Sequence, residues 1–381
     1  MSSTQIVTPS PPPPSQSPAP GAGLATTRED LLTVVFGACL ILGAVADGWA
    51  HQNILADVQE DGFFTPWHGL LYSGFTATAA WTFFLAYRRR DRAPRWWRDG
   101  WPAGYRLGAL GVAIFSLAGL LDMVWHTVFG VETTIDALLS PSHLLLCAGS
   151  VLLLTSPLRS WWAAGPGGGR SATGVLSMAL ATTSVAVFML YGSAFDYAGP
   201  VLPFSGEQGT AGYTAASLGV ASYVITTGLL LVPLLLIHRR RWTPGAATAL
   251  VAWASLFPMA TREFPQPETG AALAAIAAAA VVDWLLGRLD RARGATAPGR
   301  LPIAGAVFGT LVWSAHLLGL HLGGRIEWPV ELWTGSVVSA AAVGALLGLL
   351  AGQPSGQAPA GAFAGQPLSE RHAPTAFTGE A

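Results

Sequence analysis

Apolar stretches close to the length of a membrane-spanning helix recur along this chain, separated by short polar segments. A helix needs about 20 predominantly apolar residues to cross the hydrocarbon core of a bilayer. Backbone polar groups in lipid must be hydrogen-bonded internally, so such a stretch predicts a helix. The predicted spans cover about residues 31–51, 66–87, 105–129, 141–158, 172–193, 213–238, 244–261, 270–287, 302–322 and 331–351. The pattern predicts an all-α fold, a polytopic integral membrane bundle of about ten transmembrane helices.

The two ends of the chain differ in composition from the part between them. Residues 1–27 are rich in Pro, Ser, Thr and Ala, and residues 352–381 are rich in Gly, Pro and Ala. Segments of this kind bury too little apolar surface to offset the entropy lost on ordering. We therefore expect a disordered Pro-rich tail at 1–27, a transmembrane domain at 28–351 and a disordered tail at 352–381.

The positions of the arginines predict how the bundle is oriented. All 20 basic residues are Arg, a usage typical of a high-GC bacterial genome. The loops after the second, fourth, sixth and eighth spans contain Arg, whereas the alternate loops contain only Arg262 and Arg325. Because basic residues accumulate in cytoplasmic loops, 18 of the 20 Arg are expected on the cytoplasmic side. This predicts a multi-pass protein of the cell (plasma) membrane with both termini cytoplasmic.

Charge and cysteine content exclude several other classes of protein. Charged residues make up 11% of the chain, against about 25% in soluble domains. The net charge of −1 argues against a nucleic-acid partner. Two Cys, Cys39 and Cys147, both lie within apolar stretches, which argues against a disulfide framework and a Cys-rich zinc site. The expected environment is therefore the lipid bilayer, with no nucleic acid bound.

One polar motif occurs twice in this apolar chain, with the copies 75 residues apart. Both copies read D-x3-H-x9-D-x3-[ST]-P-x-H, and a Gly follows six residues after the last His. The first copy consists of Asp47, His51, Asp61, Thr65, Pro66 and His68, and the second of Asp122, His126, Asp136, Ser140, Pro141 and His143. Each copy joins one apolar span to the next, which predicts that helices 1–2 and 3–4 form an internal repeat.

The spacing within the motif predicts its local geometry. Residues four apart share one face of a helix, so the first Asp and the first His of each copy should lie side by side. Thr65 and Ser140 are predicted helix N-caps, each followed by a Pro at the first helical position. His68 and His143 then fall in the first turn of the following helix.

These residues predict a metal site at the extracytoplasmic face, because ionisable groups at membrane depth are costly and usually mark function. His and carboxylate ligands suit Cu, Zn or Fe. The predicted ligands are Asp47, His51, His68, Asp122, His126 and His143, and the additional candidates are His316, Glu263, Asp61 and Asp136. Two alternatives stay open. The motif residues may simply hydrogen-bond helices together, and Glu263 may pair with Arg262 at the surface.

At the level of the motif, D-x3-H on one helix followed by a His at the next resembles the copper-binding pattern of the membrane-embedded C subunit of particulate methane monooxygenase. The matching residues are Asp47, His51 and His68 in the first copy, and Asp122, His126 and His143 in the second. The resemblance covers about 22 residues per copy. The gap between the second and third ligands differs from that family's pattern. The resemblance implies copper among the three metals.

The sequence supports several functions for such a site. The first is a metal-dependent membrane oxidoreductase or hydrolase acting on a small hydrophobic substrate, or a metal-handling protein. The second is a transporter or proton-coupled carrier, and the third is a haem-binding bundle or a scaffold subunit. Haem is less favoured than Cu, Zn or Fe, since an Asp precedes the first His of each copy by four residues. No H-E-x-x-H, G-x-S-x-G or nucleotide-binding loop occurs in the chain.

Overall fold

A computed structural model of the chain describes residues 23–54, 63–130, 135–165, 171–240, 242–294 and 297–353. Within these ranges the chain is helical and contains no strand, which confirms the all-α prediction. The helices are α1 Thr27–Asn53, α2 Pro66–Tyr87, α3 Trp96–Asp99, α4 Arg106–Phe129, α5 Ile135–Leu139, α6 Pro141–Leu154, α7 Ser156–Ala163, α8 Ser171–Phe188, α9 Ala211–Arg240, α10 Ala246–Thr261, α11 Glu268–Arg293, α12 Arg300–Gly324 and α13 Val330–Gly352.

Eight helical stretches in the described ranges are long and apolar enough to cross a membrane. They are α1, α4, α6 together with α7, α8, α9, α11, α12 and α13. The apolar helix α10 is shorter, with 16 residues, and α2 occupies the predicted second span. The helices thus support a membrane-embedded bundle, while the count of ten spans and the orientation of the termini stay predictions.

The ordered bundle begins just before α1. Ala25 is fully buried beside Leu85 and Tyr105. The Thr26 hydroxyl accepts a hydrogen bond from the Glu29 N–H, and the Glu29 carboxylate accepts one from the Thr26 N–H. This reciprocal capping satisfies two backbone donors that a helix start leaves unpaired. The predicted tail residues 1–22 and 354–381 lie outside the described ranges.

A buried carboxylate joins three helices near the start of α1. The Tyr105 hydroxyl donates to Asp30 Oδ1 over 2.8 Å, and the Ser160 hydroxyl donates to Asp30 Oδ2 over 3.0 Å. All three side chains are fully buried. Tyr105 precedes α4 and Ser160 lies in α7. Hydrogen bonds to an ionised group are about twice as strong as neutral ones, so Asp30 ties α1 to both neighbours.

Helix α10 begins against a carboxylate of another helix. The Ala247 and Thr248 N–H groups donate to the two Asp283 carboxylate oxygens over 3.2 and 2.9 Å. The Thr248 hydroxyl donates to the same carboxylate over 2.7 Å. A helix start leaves N–H groups unpaired and carries partial positive charge. Asp283 of α11 supplies both the acceptors and the negative charge, and α10 packs against α1, α8, α9 and α11.

The helix pairs α1–α2 and α4–α6 approach each other through glycine at equivalent positions. A Cβ atom added to Gly74 of α2 would lie 2.6 Å from the Leu40 nitrogen of α1. A Cβ added to Gly149 of α6 would lie 2.7 Å from the Phe115 nitrogen of α4. The two glycines are 75 residues apart, as are Leu40 and Phe115. Small residues let membrane helices pack backbone to backbone, and here they do so at the same register in both pairs.

This close approach predicts the effect of a single methyl group. Gly74→Ala is expected to lower the free energy of unfolding by about 1–3 kcal/mol, because α2 must move away from the α1 backbone. Gly69→Ala on the same helix is the matched control, since a Cβ there meets no atom within 4 Å. We expect the control to keep or raise stability. Thermal unfolding of both variants in detergent compares them, and equal midpoints would show that the approach is not tight.

Candidate metal centre

All six predicted ligands line one cavity of about 490 Å³. Asp47 and His51 lie in the last two turns of α1, and Asp122 and His126 in the last two turns of α4. The partners His68 and His143 come from the first turns of α2 and α6. The ligand-bearing ends of four helices therefore meet at one end of the bundle.

In the first copy, both histidines lie against the carboxylate of Asp47. His51 Nε2 is 3.9 Å from Asp47 Oδ2, and His68 Nδ1 is 3.5 Å from Asp47 Oδ1. Thr65 caps α2, as predicted, because its hydroxyl accepts from the His68 N–H over 3.1 Å. The same hydroxyl lies 3.1 Å from His68 Nδ1, which fixes the imidazole relative to the start of the helix.

The second copy repeats this arrangement around Asp122. His126 Nε2 is 3.6 Å from Asp122 Oδ2, and His143 Nε2 is 3.2 Å from Asp122 Oδ1. Ser140 caps α6 by accepting from the His143 N–H over 3.3 Å, which confirms the second predicted cap. The Ser142 hydroxyl adds a hydrogen bond of 2.9 Å to Asp122 Oδ1. Asp122 therefore has one more partner than Asp47 and is the better-held carboxylate.

The two copies meet at His68. One group of candidate metal ligands consists of Asp47, His51 and His68, and another of His68, Asp122 and His126. Within each group, one ligand atom from every residue lies within 4.8 Å of the others. The His68 ring centroid is 5.5 Å from that of His51 and 6.2 Å from that of His126. His68 thus belongs to both groups and connects one motif copy to the other.

Several ligand atoms in these groups are buried without a hydrogen-bond partner in the described part of the chain. They are Asp47 Oδ1, His51 Nδ1 and His126 Nε2. Leaving such an atom unpaired costs about 1–3 kcal/mol. Two ligands of one Zn²⁺ ion stand roughly 3–3.5 Å apart, and the His–Asp separations of 3.2–3.9 Å fall close to that spacing. A metal ion bound among them would satisfy atoms that the protein alone leaves unpaired.

The wall of the cavity follows the same register as the ligands. Leu40 and Phe115 both line it, and so do Leu71 and Leu146, each pair being 75 residues apart. Tyr72 departs from this equivalence, because the residue 75 positions later is Cys147. Sequence reasoning missed Tyr72, although it follows His68 by four residues and therefore shares its helix face.

Two further charged residues of the lining, Asp196 and Arg262, were not predicted as site residues. Arg262 donates to the Asp196 carbonyl over 2.7 Å and to Glu268 Oε1 over 3.1 Å. Burial raises the pKa of the Asp196 carboxyl above its ordinary value, and the Arg262 guanidinium offsets part of that rise. Glu263, expected at Arg262, instead accepts a hydrogen bond of 3.1 Å from Trp49 Nε1. Arg262 is therefore already charge-balanced at the cavity wall.

The structure does not bring the additional candidates into this cavity. His316 of α12 is 2% exposed, and its Nδ1 lies 3.0 Å from the Tyr223 hydroxyl. Glu263 is exposed and is not one of the described residues that line the cavity. Asp61 lies outside the described residues, and for Asp136 the structure describes only the backbone, within α5. A metal-ligand role for these four residues stays a prediction.

Comparison with known proteins gives no family for this chain. No family model matches it, and neither a curated protein nor a solved structure gave a significant match.

Proposed function

We propose that this chain is a multi-pass membrane protein that binds transition-metal ions between the two copies of its Asp/His motif. The observation that carries the proposal is the sharing of His68 by two groups of three candidate ligands. Imidazole and carboxylate ligands suit Cu, Zn or Fe. The motif resemblance favours copper among these, and haem is less favoured.

The proposed topology has ten spans with both termini cytoplasmic, and an internal duplication that relates α1–α2 to α4–α6. The duplication is supported by the shared register of the ligands, the cavity wall and the close-packed glycines. The Arg-rich segment 88–98 follows the end of α2 that is opposite to His68. With basic residues on the cytoplasmic side, the metal site is at the extracytoplasmic end of the bundle.

We further propose that the site performs chemistry on a small hydrophobic substrate. Ligand-binding cavities are typically about 300–1,000 Å³ and mostly apolar, with a few convergent polar groups. The cavity of about 490 Å³ fits this description, because leucine and phenylalanine side chains surround the Asp/His cluster. A site that only stores or passes on metal has no need of such a wall. Copper or iron would serve an oxidoreductase, whereas zinc would serve a hydrolase.

The proposal is tested by the metal content of the detergent-purified protein. We expect stoichiometric metal in the wild type by elemental mass spectrometry, and its loss from the His51→Ala/His126→Ala double variant. His321→Ala is the matched control, because His321 is exposed on α12 and does not line the cavity. The visible spectrum recorded on the same samples separates copper or iron from zinc.

One outcome contradicts the metal proposal. A wild type that stays metal-free after incubation with Cu, Zn and Fe, and a double variant that unfolds at the same temperature, would leave the motif as a hydrogen-bond network. Transport or scaffolding would then be the better interpretation. A Soret band lost in the double variant would instead identify haem as the cofactor.

A further inference from the structure

The cavity continues from the candidate ligands into the apolar interior of the bundle. Leu40 precedes Asp47 by seven residues on α1, and Phe115 precedes Asp122 by seven residues on α4. Seven residues of helix correspond to about two turns, or roughly 10 Å. Both side chains line the same cavity as the ligands. The cavity therefore has a polar end at the Asp/His cluster and an apolar end about two turns deeper.

Tyr72 lies between these two ends. Its ring centroid is 6.5 Å from that of His68 in a stacked arrangement, and 6.2 Å from that of Phe115. The phenol packs against the α4 backbone, since a Cβ added to Gly119 would lie 3.0 Å from the Tyr72 hydroxyl oxygen. Tyr72 thus stands one turn deeper than the ligand on its own helix, at the boundary between the polar and apolar parts.

The Tyr72 hydroxyl is buried and has no hydrogen-bond partner within the described ranges. An unpaired buried hydroxyl costs free energy, so proteins usually pair such groups. The hydroxyl lines the cavity and is the one phenol of the duplicated segment, because Cys147 stands at the equivalent place of the second copy. A bound molecule with an acceptor atom at this depth would supply the missing partner.

We propose that the cavity binds an amphipathic small molecule, with an apolar body and one oxygen at its end, and that Tyr72 donates a hydrogen bond to that oxygen. As a substrate site, the proposal rests on the metal centre proposed above. The apolar body lies against Leu40 and Phe115, and the oxygen lies beside the Asp/His cluster. Long-chain alcohols, aldehydes and ketones have this shape and chemistry. Tyr72 is then a positioning residue that selects oxygen-bearing molecules over plain hydrocarbons.

Competitive photolabelling tests this assignment. The probe is a diazirine-tagged 1-decanol, added to the full-length protein in detergent, and labelled peptides are mapped by mass spectrometry. We expect labelling on α1, α2, α4 and α6, which excess 1-decanol suppresses more strongly than n-decane does. Tyr72→Phe should weaken 1-decanol competition about tenfold, the value of one hydrogen bond, and should leave n-decane competition unchanged. Tyr87→Phe, an exposed tyrosine at the far end of α2, is the matched control.

A second variant blocks the cavity without removing the hydroxyl. Ala44 lines the cavity and is half-buried on α1, so Ala44→Leu should abolish labelling of these helices. The proposal is overturned if 1-decanol and n-decane compete equally in the wild type, or if Tyr72→Phe binds 1-decanol as the wild type does. Metal content measured on the same samples separates the two proposals. Metal bound without alcohol selectivity sinks this one alone, and alcohol selectivity without metal sinks only the metal centre.

Discussion

Replacing His68 with Ala is expected to remove metal from both ligand groups at once. His68 is the residue that the two groups share, whereas His51 belongs to one and His126 to the other. Loss of an outer-shell partner alone typically weakens metal binding about 10–100-fold, so loss of a shared ligand should weaken both groups at least about 100-fold. Metal titration of His68→Ala, His51→Ala and His126→Ala measures the number of ions bound per chain.

The single variants define what the His68 result means. We expect each of His51→Ala and His126→Ala to leave one group of ligands able to bind. If His68→Ala keeps the same metal content as either single variant, the two groups do not share a ligand and the proposed bridge is wrong. Circular dichroism of each variant checks that helix content is preserved, and His321→Ala is again the control.

Replacing Asp30 with Ala is expected to cost about 3 kcal/mol or more of unfolding free energy. The substitution removes two hydrogen bonds to a charged group, each worth about 1.5–3 kcal/mol. It also leaves the buried Ser160 hydroxyl without its acceptor, and the Tyr105 hydroxyl with Thr33 as its remaining neighbour. Equilibrium unfolding in mixed detergent micelles measures the loss.

Asp99→Ala is the control for this second prediction. Asp99 pairs with Arg95 and Arg98, and its side chain is 45% exposed. An exposed pair of this kind is worth below about 1 kcal/mol. We therefore expect the Asp99 variant to unfold close to the wild type. If Asp30→Ala and Asp99→Ala lower stability equally, the buried network does not hold the helices together.

The candidate site was predictable because its local geometry depends on short-range rules. Four-residue spacing on a helix placed each Asp beside its His, and Thr65 and Ser140 cap the following helices before a Pro. The common register of the two motifs also anticipated one composite cluster. Each of these features is encoded within a few neighbouring residues, so the sequence alone contained the signal.

Contacts between distant parts of the chain were not predictable in this way. Asp283 meets Thr248 across 35 residues, and Arg262 meets Asp196 across 66. Helical periodicity gives no information on such pairings, because they depend on which helices pack together. The predicted fourth span at 141–158 is also interrupted at Thr155, where α6 ends two residues before Pro157. The proline was visible in the sequence, but the apolar run through it favoured a single helix.

The shortness of α10 bears on how the protein is inserted into a membrane during its synthesis. Its 16 residues span about 24 Å, less than the roughly 30 Å of a bilayer core, so insertion on its own would expose unpaired N–H groups to lipid. Asp283 of α11 supplies the partners for that end, yet it is synthesised after α10. We therefore expect α10 to settle in the bilayer only once α11 has emerged from the ribosome, so that the two helices enter as a hairpin.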